Sequence, residues 1–290
     1  MDRGLEMKEY IAKAQALIEA LPYIQKFRGK EILIKYGGAA LTYPEVRDMV
    51  LQDLVFMSYV GIRPILIHGG GKFITDAMKK KGVQSQFVNG LRVTDKTTIE
   101  VVNETLAELN KSIVRDIERL GGSAVGLSGY DAEILNVVKH TENGDVGFVG
   151  DVSSVNTVPL KELTEFGRIP VIFPVGKGPD GEMYNVNADE AAANIASAMH
   201  VPKFMVLTNV KGILRDPADE ETLIPSLRVS DTQQLIDQKI ISGGMIPKVK
   251  ACIDALQGGV QKAHIIDGRI THALLLEIFT DQGIGTEITL

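Results

Sequence analysis

Lys35, Asp189 and Lys248 carry most of the chemistry this sequence offers, and each stands where an element of regular structure begins or ends. Lys35 closes the apolar run Glu31-Ile-Leu-Ile-Lys35 just before Gly37-Gly38, which aims its ammonium into the space above a strand end. Lys248 follows Ser242-Gly-Gly-Met-Ile-Pro247, a helix start with Pro near the first position, so Lys248 falls in the first turn. A cation there opposes the macrodipole by a few tenths to about 1 kcal/mol, and a bound polyphosphate would reverse that sign. A solvent-facing lysine without a role is the alternative. Asp189 follows Asn185-Val-Asn187-Ala and opens an Ala-rich helix, where a carboxylate suits the N-terminus as a cap on structural grounds alone. Placed between two lysines, the same carboxylate would fix the direction of both ammonium groups.

Glycines surround these residues. The chain has 29 of them, above the roughly 7% average, and they cluster as Gly37-Gly38, Gly69-Gly70-Gly71, Gly121-Gly122, Gly243-Gly244 and Gly258-Gly259. After a strand, glycines let backbone N–H groups approach an oxygen-rich ligand, and a following helix adds its positive end. A tight structural turn is the other explanation of the triple glycine, and Lys72 behind it has the same ambiguity as Lys248. The familiar phosphate motifs fail: Phe73 stands where G-x-x-x-x-G-K-[ST] needs Ser or Thr, Ile74 where G-x-G-x-x-G needs Gly, and H-R-D and D-F-G are missing.

Strands ending in these loops must position the groups. Apolar runs at 31–35, 64–68, 124–127, 169–175, 203–208 and 262–267 alternate with helical periodicity at 45–60, 97–120, 189–199 and 247–256. Strands nearly continuous in Val, Ile and Leu predict a parallel sheet covered on both faces. The expected fold is a three-layer α/β/α sandwich with a mostly parallel central sheet, whose ligands collect at the carboxyl ends of the strands. Residues 126–158 read as short strands forming an antiparallel flap, with Asn143-Gly144-Asp145 as a hairpin turn. A soft boundary at Gly176 to Gly181 separates a first lobe, 29–178, from a second, 179–290. Ahead of both, residues 1–28 read as an amphipathic helix. Leu5, Tyr10, Ala14, Leu17, Ile18, Leu21, Ile24 and Phe27 recur on one face, and Pro22 is expected to kink it. That stripe packs on the chain's own core or bridges subunits.

Composition sets the bounds. With 44% hydrophobic and 23% charged among 290 residues, the chain is one large domain or two packed lobes, and disorder and coiled coil are excluded. Thirty-one Lys and Arg against 37 Asp and Glu give a net charge of −6, so no global field recruits nucleic acid or anionic lipid. A single cysteine, Cys252, allows neither an intramolecular disulfide nor a multi-cysteine zinc site. No apolar run is long enough for a membrane span, and the charged N-terminus lacks a signal-peptide core, so a cytoplasmic setting is expected.

The motifs Lys35-Tyr-Gly-Gly38, His68-Gly-Gly-Gly71, Asn89-Gly-Leu-Arg-Val-Thr94, Asn185-Val-Asn-Ala-Asp189, Leu207-Thr-Asn-Val-Lys-Gly212 and Gly243-Gly-Met-Ile-Pro-Lys248, in this order, resemble the amino acid kinase family. Asn89 to Thr94 is similar to its acetylglutamate kinase branch. The resemblance implies phosphoryl transfer from ATP, with Mg²⁺, to the γ-carboxylate of N-acetyl-L-glutamate, the second step of arginine synthesis, with no resident metal. It implies that Lys35 and Lys248 stabilise the transferring group and that Asp189 orients them. Gly70 and Gly71 would offer backbone donors to the substrate, Arg92 would clamp its α-carboxylate, and Asn185 or Asn187 would bind the rest. Gly37, Gly38, Thr208, Asn209, Val210, Gly212, Gly244 and Met245 match the nucleotide site, which puts amino-acid substrate and dimerisation on the first lobe and nucleotide on the second.

Two flanking features resemble the arginine-inhibited members. The N-terminal helix there interlaces dimers into a ring-shaped hexamer, a trimer of dimers. Tyr23, His264, Glu277 and Gly283 would hold L-arginine as an allosteric effector. Another carboxylate or carbamate kinase of the same fold, such as an aspartate kinase or a glutamate 5-kinase, stays open as an alternative. So does a catalytically silent arginine sensor, against which the joint presence of Lys35, Asp189 and Lys248 argues. Regulation by a nitrogen-signalling protein is left open.

Overall fold

The computed structural model describes residues 3–142, 144–281 and 283–290; Asn143, expected to begin a hairpin turn, lies outside them. The chain opens with α1 (Arg3–Phe27), β1 (Glu31–Tyr36), α2 (Pro44–Tyr59), β2 (Arg63–His68) and α3 (Gly71–Lys80). Next come β3 (Phe87–Val88), β4 (Leu91–Arg92), α4 (Lys96–Arg119), β5 (Ala124–Ser128), β6 (Leu135–Lys139) and β7 (Gly150–Val155). Then follow α5 (Val158–Glu165), β8 (Ile169–Phe173), β9 (Val175–Lys177), β10 (Met183–Asn185), α6 (Ala188–Met199) and β11 (Lys203–Thr208). The remainder is β12 (Ser226–Arg228), α7 (Val229–Asp237), α8 (Met245–Gln257), β13 (Lys262–Asp267), α9 (Ala273–Phe279) and β14 (Thr286–Thr289).

The central sheet has the order β12-β14-β13-β11-β1-β2-β8-β5. From β13 to β5 all neighbours are parallel, and β14 alone pairs antiparallel, with β13. Side chains alternate between two cores. Ile32 and Ile34 of β1 join Leu51 and Leu54 of α2, Ile113 of α4 and Leu274 of α9 in one. Leu33 joins Ala192 and Ile195 of α6 with Val249 and Ala255 of α8 in the other. The result is the expected α/β/α sandwich with a mostly parallel sheet. The period of two also decides where the polar strand residues go. Lys35 shares the face of Leu33, toward α6 and α8, whereas His68 shares the face of Leu66, toward α2 and α4.

One local expectation needed correction. The run 169–175 is two strands, because Pro174 has no N–H for the ladder: β8 stays in the central sheet and β9 enters a second sheet of order β10-β9-β6-β7. Within that sheet β6 and β7 pair antiparallel as the flap, preceded by a short 3₁₀ turn at Asp131–Glu133; Gly176 belongs to β9, and the turn with Gly178 and Gly181 joins β9 to β10. Helix α1 continues through Pro22. Pro22 forfeits the hydrogen bond to the carbonyl of Ile18, an exposed residue. Of the two readings of the α1 stripe, packing on this chain's own core does not fit: Leu17 is 68% and Ile18 63% exposed, with Tyr10 and Leu21 exposed beside them, and among the described side chains of the stripe Phe27 alone is buried. The side chain of Leu5 lies outside those described. None of the described helices is long and apolar enough to cross a membrane.

Candidate active site

Lys35 Nζ lies 2.8 Å from Asp189 Oδ1, and Lys248 Nζ lies 3.0 Å from Asp189 Oδ2. One carboxylate therefore holds two ammonium groups, one at the end of β1 and one in the first turn of α8. Capping does not consume that carboxylate, contrary to what its position alone suggests. Asn187 is the N-cap of α6, its Oδ1 accepting from the N–H of Asp189 at 2.8 Å and of Glu190 at 3.3 Å. Asp189 is thereby left to the lysines. Burial raises its carboxyl pKa, but Lys35 and Lys248 outweigh burial and hold it below the usual carboxylate range. Burial likewise lowers the Lys35 ammonium, with Asp189 opposing and Lys248 reinforcing the shift. A Cβ on Gly37 would stand 2.7 Å from Lys35 Nζ, so the lysine takes this position only over a glycine.

Lys35 and Asp189 line a cavity of about 290 Å³ together with Gly37, Gly38, Gly70, Gly71, Arg92, Asn185 and Asn187; Lys248 reaches it through Asp189. Arg92 comes from the hairpin of β3 and β4, whose two-residue turn Asn89-Gly90 has φ of +48° and +84°, the turn that Asn-Gly favours. Its Nη2 donates to Gly71 O at 3.0 Å and Thr75 Oγ1 at 2.9 Å, and its guanidinium lies 4.7 Å from the Phe87 ring centroid. Only 6% exposed, Arg92 has no carboxylate partner among the described residues. Burial lowers its pKa. A buried cation without a counter-ion is costly and calls for an anion from outside. Asp189 is the single acid lining the cavity, so the balance there is positive. The N-termini of α3, α6 and α8 meet in the same region, at Gly71, Ala188 and Met245, and add their dipoles. Of the two asparagines, Asn187 has only its amide NH₂ to offer a ligand, while Asn185 reaches Thr94 Oγ1 at 3.4 Å. Such a site neutralises two anions as they approach.

The sequence matches the amino acid kinase family over residues 30–267. An acetylglutamate kinase of Caldanaerobacter subterraneus subsp. tengcongensis is 50% identical over 289 residues, covering 99% of this chain and 97% of its own length. The chain belongs to the amino acid kinase family, among its acetylglutamate kinases. Among solved structures, N-acetylglutamate synthase of Neisseria gonorrhoeae complexed with coenzyme A and N-acetyl-glutamate superposes with a TM-score of 0.84 at 25% identity, covering 96% of this chain and 63% of that one. The same synthase complexed with coenzyme A and L-arginine gives 0.82 at 25% identity, covering 95% and 65%. This chain thus spans less than two thirds of the synthase.

Of the residues expected at a nucleotide, Thr208 ends β11, the strand next to β1, and Asn209 and Val210 follow it. Gly212 has a φ of +154°, and a Cβ there would meet Thr286 Oγ1 at 2.6 Å, so packing on β14 alone already demands glycine. Gly244 caps α8, which Met245 begins, and a Cβ on Gly244 would meet nothing within 4 Å. Beyond Gly37 and Gly38, these nucleotide-site residues lie outside the 290 Å³ cavity. In the same helix Cys252 is fully buried against the core.

Tyr23, His264, Glu277 and Gly283 line a second cavity, of about 390 Å³, between the end of α1 and the β11–β13–β14 side of the sheet. Glu277 is engaged by His264 Nδ1 at 2.8 Å and by Lys203 Nζ at 3.1 Å. Burial raises its pKa, yet the hydrogen bond and charge of His264, with Lys203, bring it to about 2. Tyr23 donates to Asp281 Oδ1 at 2.5 Å. Lys203 and Asp281 went unnoticed in the sequence. The one available signal was a lysine opening an apolar strand, as Lys35 closes one.

Proposed function

We propose that the chain transfers the γ-phosphoryl group of MgATP to the γ-carboxylate of N-acetyl-L-glutamate, giving ADP and N-acetyl-L-glutamyl 5-phosphate in arginine biosynthesis. The observation that carries this is the pair of lysines held on one aspartate in a cavity that also receives Arg92 without an acid partner. A γ-carboxylate, with a pKa near 4.3, is already ionised at neutral pH. Its oxygen attacks the γ-phosphorus, the bond to the bridging oxygen breaks, and ADP leaves with that electron pair. No proton has to be removed, so no general base is needed. An anion must approach a polyanion, and Lys35 and Lys248 neutralise that charge where it builds up. Asp189 keeps both in direction and stays ionised.

Arg92 would take the α-carboxylate in a fork of two hydrogen bonds, with Gly70 and Gly71 offering N–H groups and Asn185 or Asn187 meeting the acetamido end. Gly37, Gly38, Thr208 to Val210, Gly212, Gly244 and Met245 would hold the nucleotide. Both Asp189 oxygens are occupied by lysines, and the described residues include no group of three or more His, Cys, Asp or Glu placed to hold a metal ion. In this proposal Mg²⁺ comes with the substrate, on the ATP phosphates. In this cytoplasmic reaction residues 29–178 supply most of the acceptor side and 179–290 most of the donor side, with Asn185 or Asn187 crossing to the acceptor and Gly37 and Gly38 to the nucleotide.

The 390 Å³ cavity is the effector site in this proposal. Its lining of Lys26, Lys203 and Lys262 beside Glu277, Asp281 and Glu287 suits a ligand with both charges, as L-arginine has, and the synthase relative is complexed with L-arginine. The exposed stripe of α1 supports assembly into a hexamer, a trimer of dimers. Coupled measurement of ADP release tests the reaction, with turnover expected on N-acetyl-L-glutamate and MgATP alone. Equal or greater turnover on glutamate or aspartate would sink the substrate assignment. Silence on all three, with arginine still bound, would favour a sensor.

A further inference from the structure

We propose that His68 is a positioning residue for the phosphoryl acceptor: held by Asn110 as the tautomer protonated on Nδ1, it sets the plane of the Gly69–Gly70 peptide and turns the Gly70 N–H into the substrate cavity. The inference rests on the assignment of that cavity made above. His68 is the last residue of β2, is fully buried against α4 and is not among the residues lining the cavity, so it does not touch substrate. Its bonds nevertheless admit only one protonation state. Nδ1 lies 2.9 Å from Gly69 O, and a carbonyl only accepts, so Nδ1 carries the proton. Asn110 Nδ2 lies 2.8 Å from Val171 O, which by the same logic identifies the donor end of the amide. That nitrogen is 3.1 Å from His68 Nε2, so Nε2 accepts. Protonation at Nε2 would set two donors against each other.

The consequence falls on the backbone. A trans peptide is planar, with C=O and N–H pointing in opposite directions. Anchoring Gly69 O toward the His68 ring therefore turns the Gly70 N–H the other way. Gly70 lines the substrate cavity, and among the described residues its N–H donates to no backbone acceptor. Three consecutive glycines cannot hold such a plane by themselves, since their torsions are the least restricted of any residue. Nor can a side chain on Gly70 do it, because a Cβ there would stand 2.4 Å from Leu106 Cδ2. The neighbouring peptides are pinned by Gly69 N–H to Tyr36 O and by Ile74 N–H to Gly70 O. His68 pins the one between. Burial, with Arg47 of α2 as the charge that adds to it, pushes the imidazole pKa down to about 4 against the pull of the Gly69 carbonyl, which keeps the ring neutral.

The test combines spectroscopy with a split of kinetic constants. In full-length protein carrying ¹⁵N-histidine, His68, assigned by its loss in His68→Phe, should show a protonated Nδ1 and a bare Nε2, unchanged between about pH 5 and pH 8. An amide in place of the imidazole offers its N–H near the Nδ1 position in Asn and near the Nε2 position in Gln. His68→Asn should therefore keep the KM for N-acetyl-L-glutamate within about threefold, whereas His68→Gln and His68→Phe raise it about tenfold or more, with the KM for MgATP moving less than about twofold. A bare Nδ1 in the wild-type protein overturns the proposal even where a variant fails to fold, and so does a Gln variant equal to the Asn variant. Arg92→Lys separates the two assignments. An unchanged KM for N-acetyl-L-glutamate there would overturn the cavity's role and leave the tautomer as measured.

Discussion

A lysine ammonium buried at a strand end needs an anion within reach, and for Lys35 the carboxylate it finds also serves Lys248. This sharing makes the lysines unequal to surface charges, because each fixes the direction of the other through Asp189. Lys35→Ala and Lys248→Ala are each expected to lower kcat by roughly 10²-fold or more, the scale of removing one preorganised donor from a transition state. Steady-state ADP release at saturating substrates measures it, and wild-type kcat in either variant would reduce that lysine to a bystander. The residue types and their places at element ends were legible in the sequence. Their meeting was not, since the contact joins β1, α6 and α8 across the fold. The weighing of Asp189 as a cap had a local cause too: by type alone Asn and Asp cap equally well, and only the geometry shows Asn187 doing it.

At the scale of elements, α6 is where cap and chemistry meet, because the helix that Asn187 starts is the one that presents Asp189. Asn187→Ala should cost about 1 kcal/mol of stability and also reduce kcat, while Asn187→Ser keeps most of the stability. Thermal denaturation and ADP release on both variants measure this. A fully stable Ala variant would mean that water or a neighbour caps α6 instead. The central strands could be read directly, since burial on both faces leaves near-continuous Val, Ile and Leu. Asn89-Gly90 was a readable hairpin signal as well, and it would have placed Arg92 on a two-stranded ribbon. By contrast α9, only seven residues long, is too short for periodicity to show. It starts on a distant side chain: buried Asp53 of α2 bonds His272 Nδ1 at 2.7 Å and accepts from the Leu274 N–H at 3.2 Å. Nothing in the local sequence announces a cap supplied from so far away.

For the whole molecule, the two cavities occupy opposite ends of the parallel strands. Lys203 pairs in register with Ile32, three residues before Lys35 and on the other side of the sheet. An effector in the larger cavity has no direct contact with the acceptor site; in the proposed hexamer it would act by binding one arrangement of subunits more tightly than another. The exposed stripe of α1 offers the means, since burying it against the same helix of a neighbour is a symmetric solution. Deleting residues 1–26 should weaken both L-arginine inhibition and assembly beyond the dimer. Light scattering and kinetics on the full-length and truncated proteins, with and without arginine, check this. Equal masses and equal responses would make α1 an appendage without regulatory weight.

The lone cysteine has a practical consequence. Cys252 stands one helical turn beyond Lys248 on α8, fully buried, and burial pushes its thiol pKa up. A thiol reagent needs both access and thiolate, and the folded chain grants neither. Slow labelling at this single position therefore acts as a clock for the lifting of α8 from the core. Run with and without nucleotide, it times the motions of the helix that carries Lys248, with no cysteine introduced.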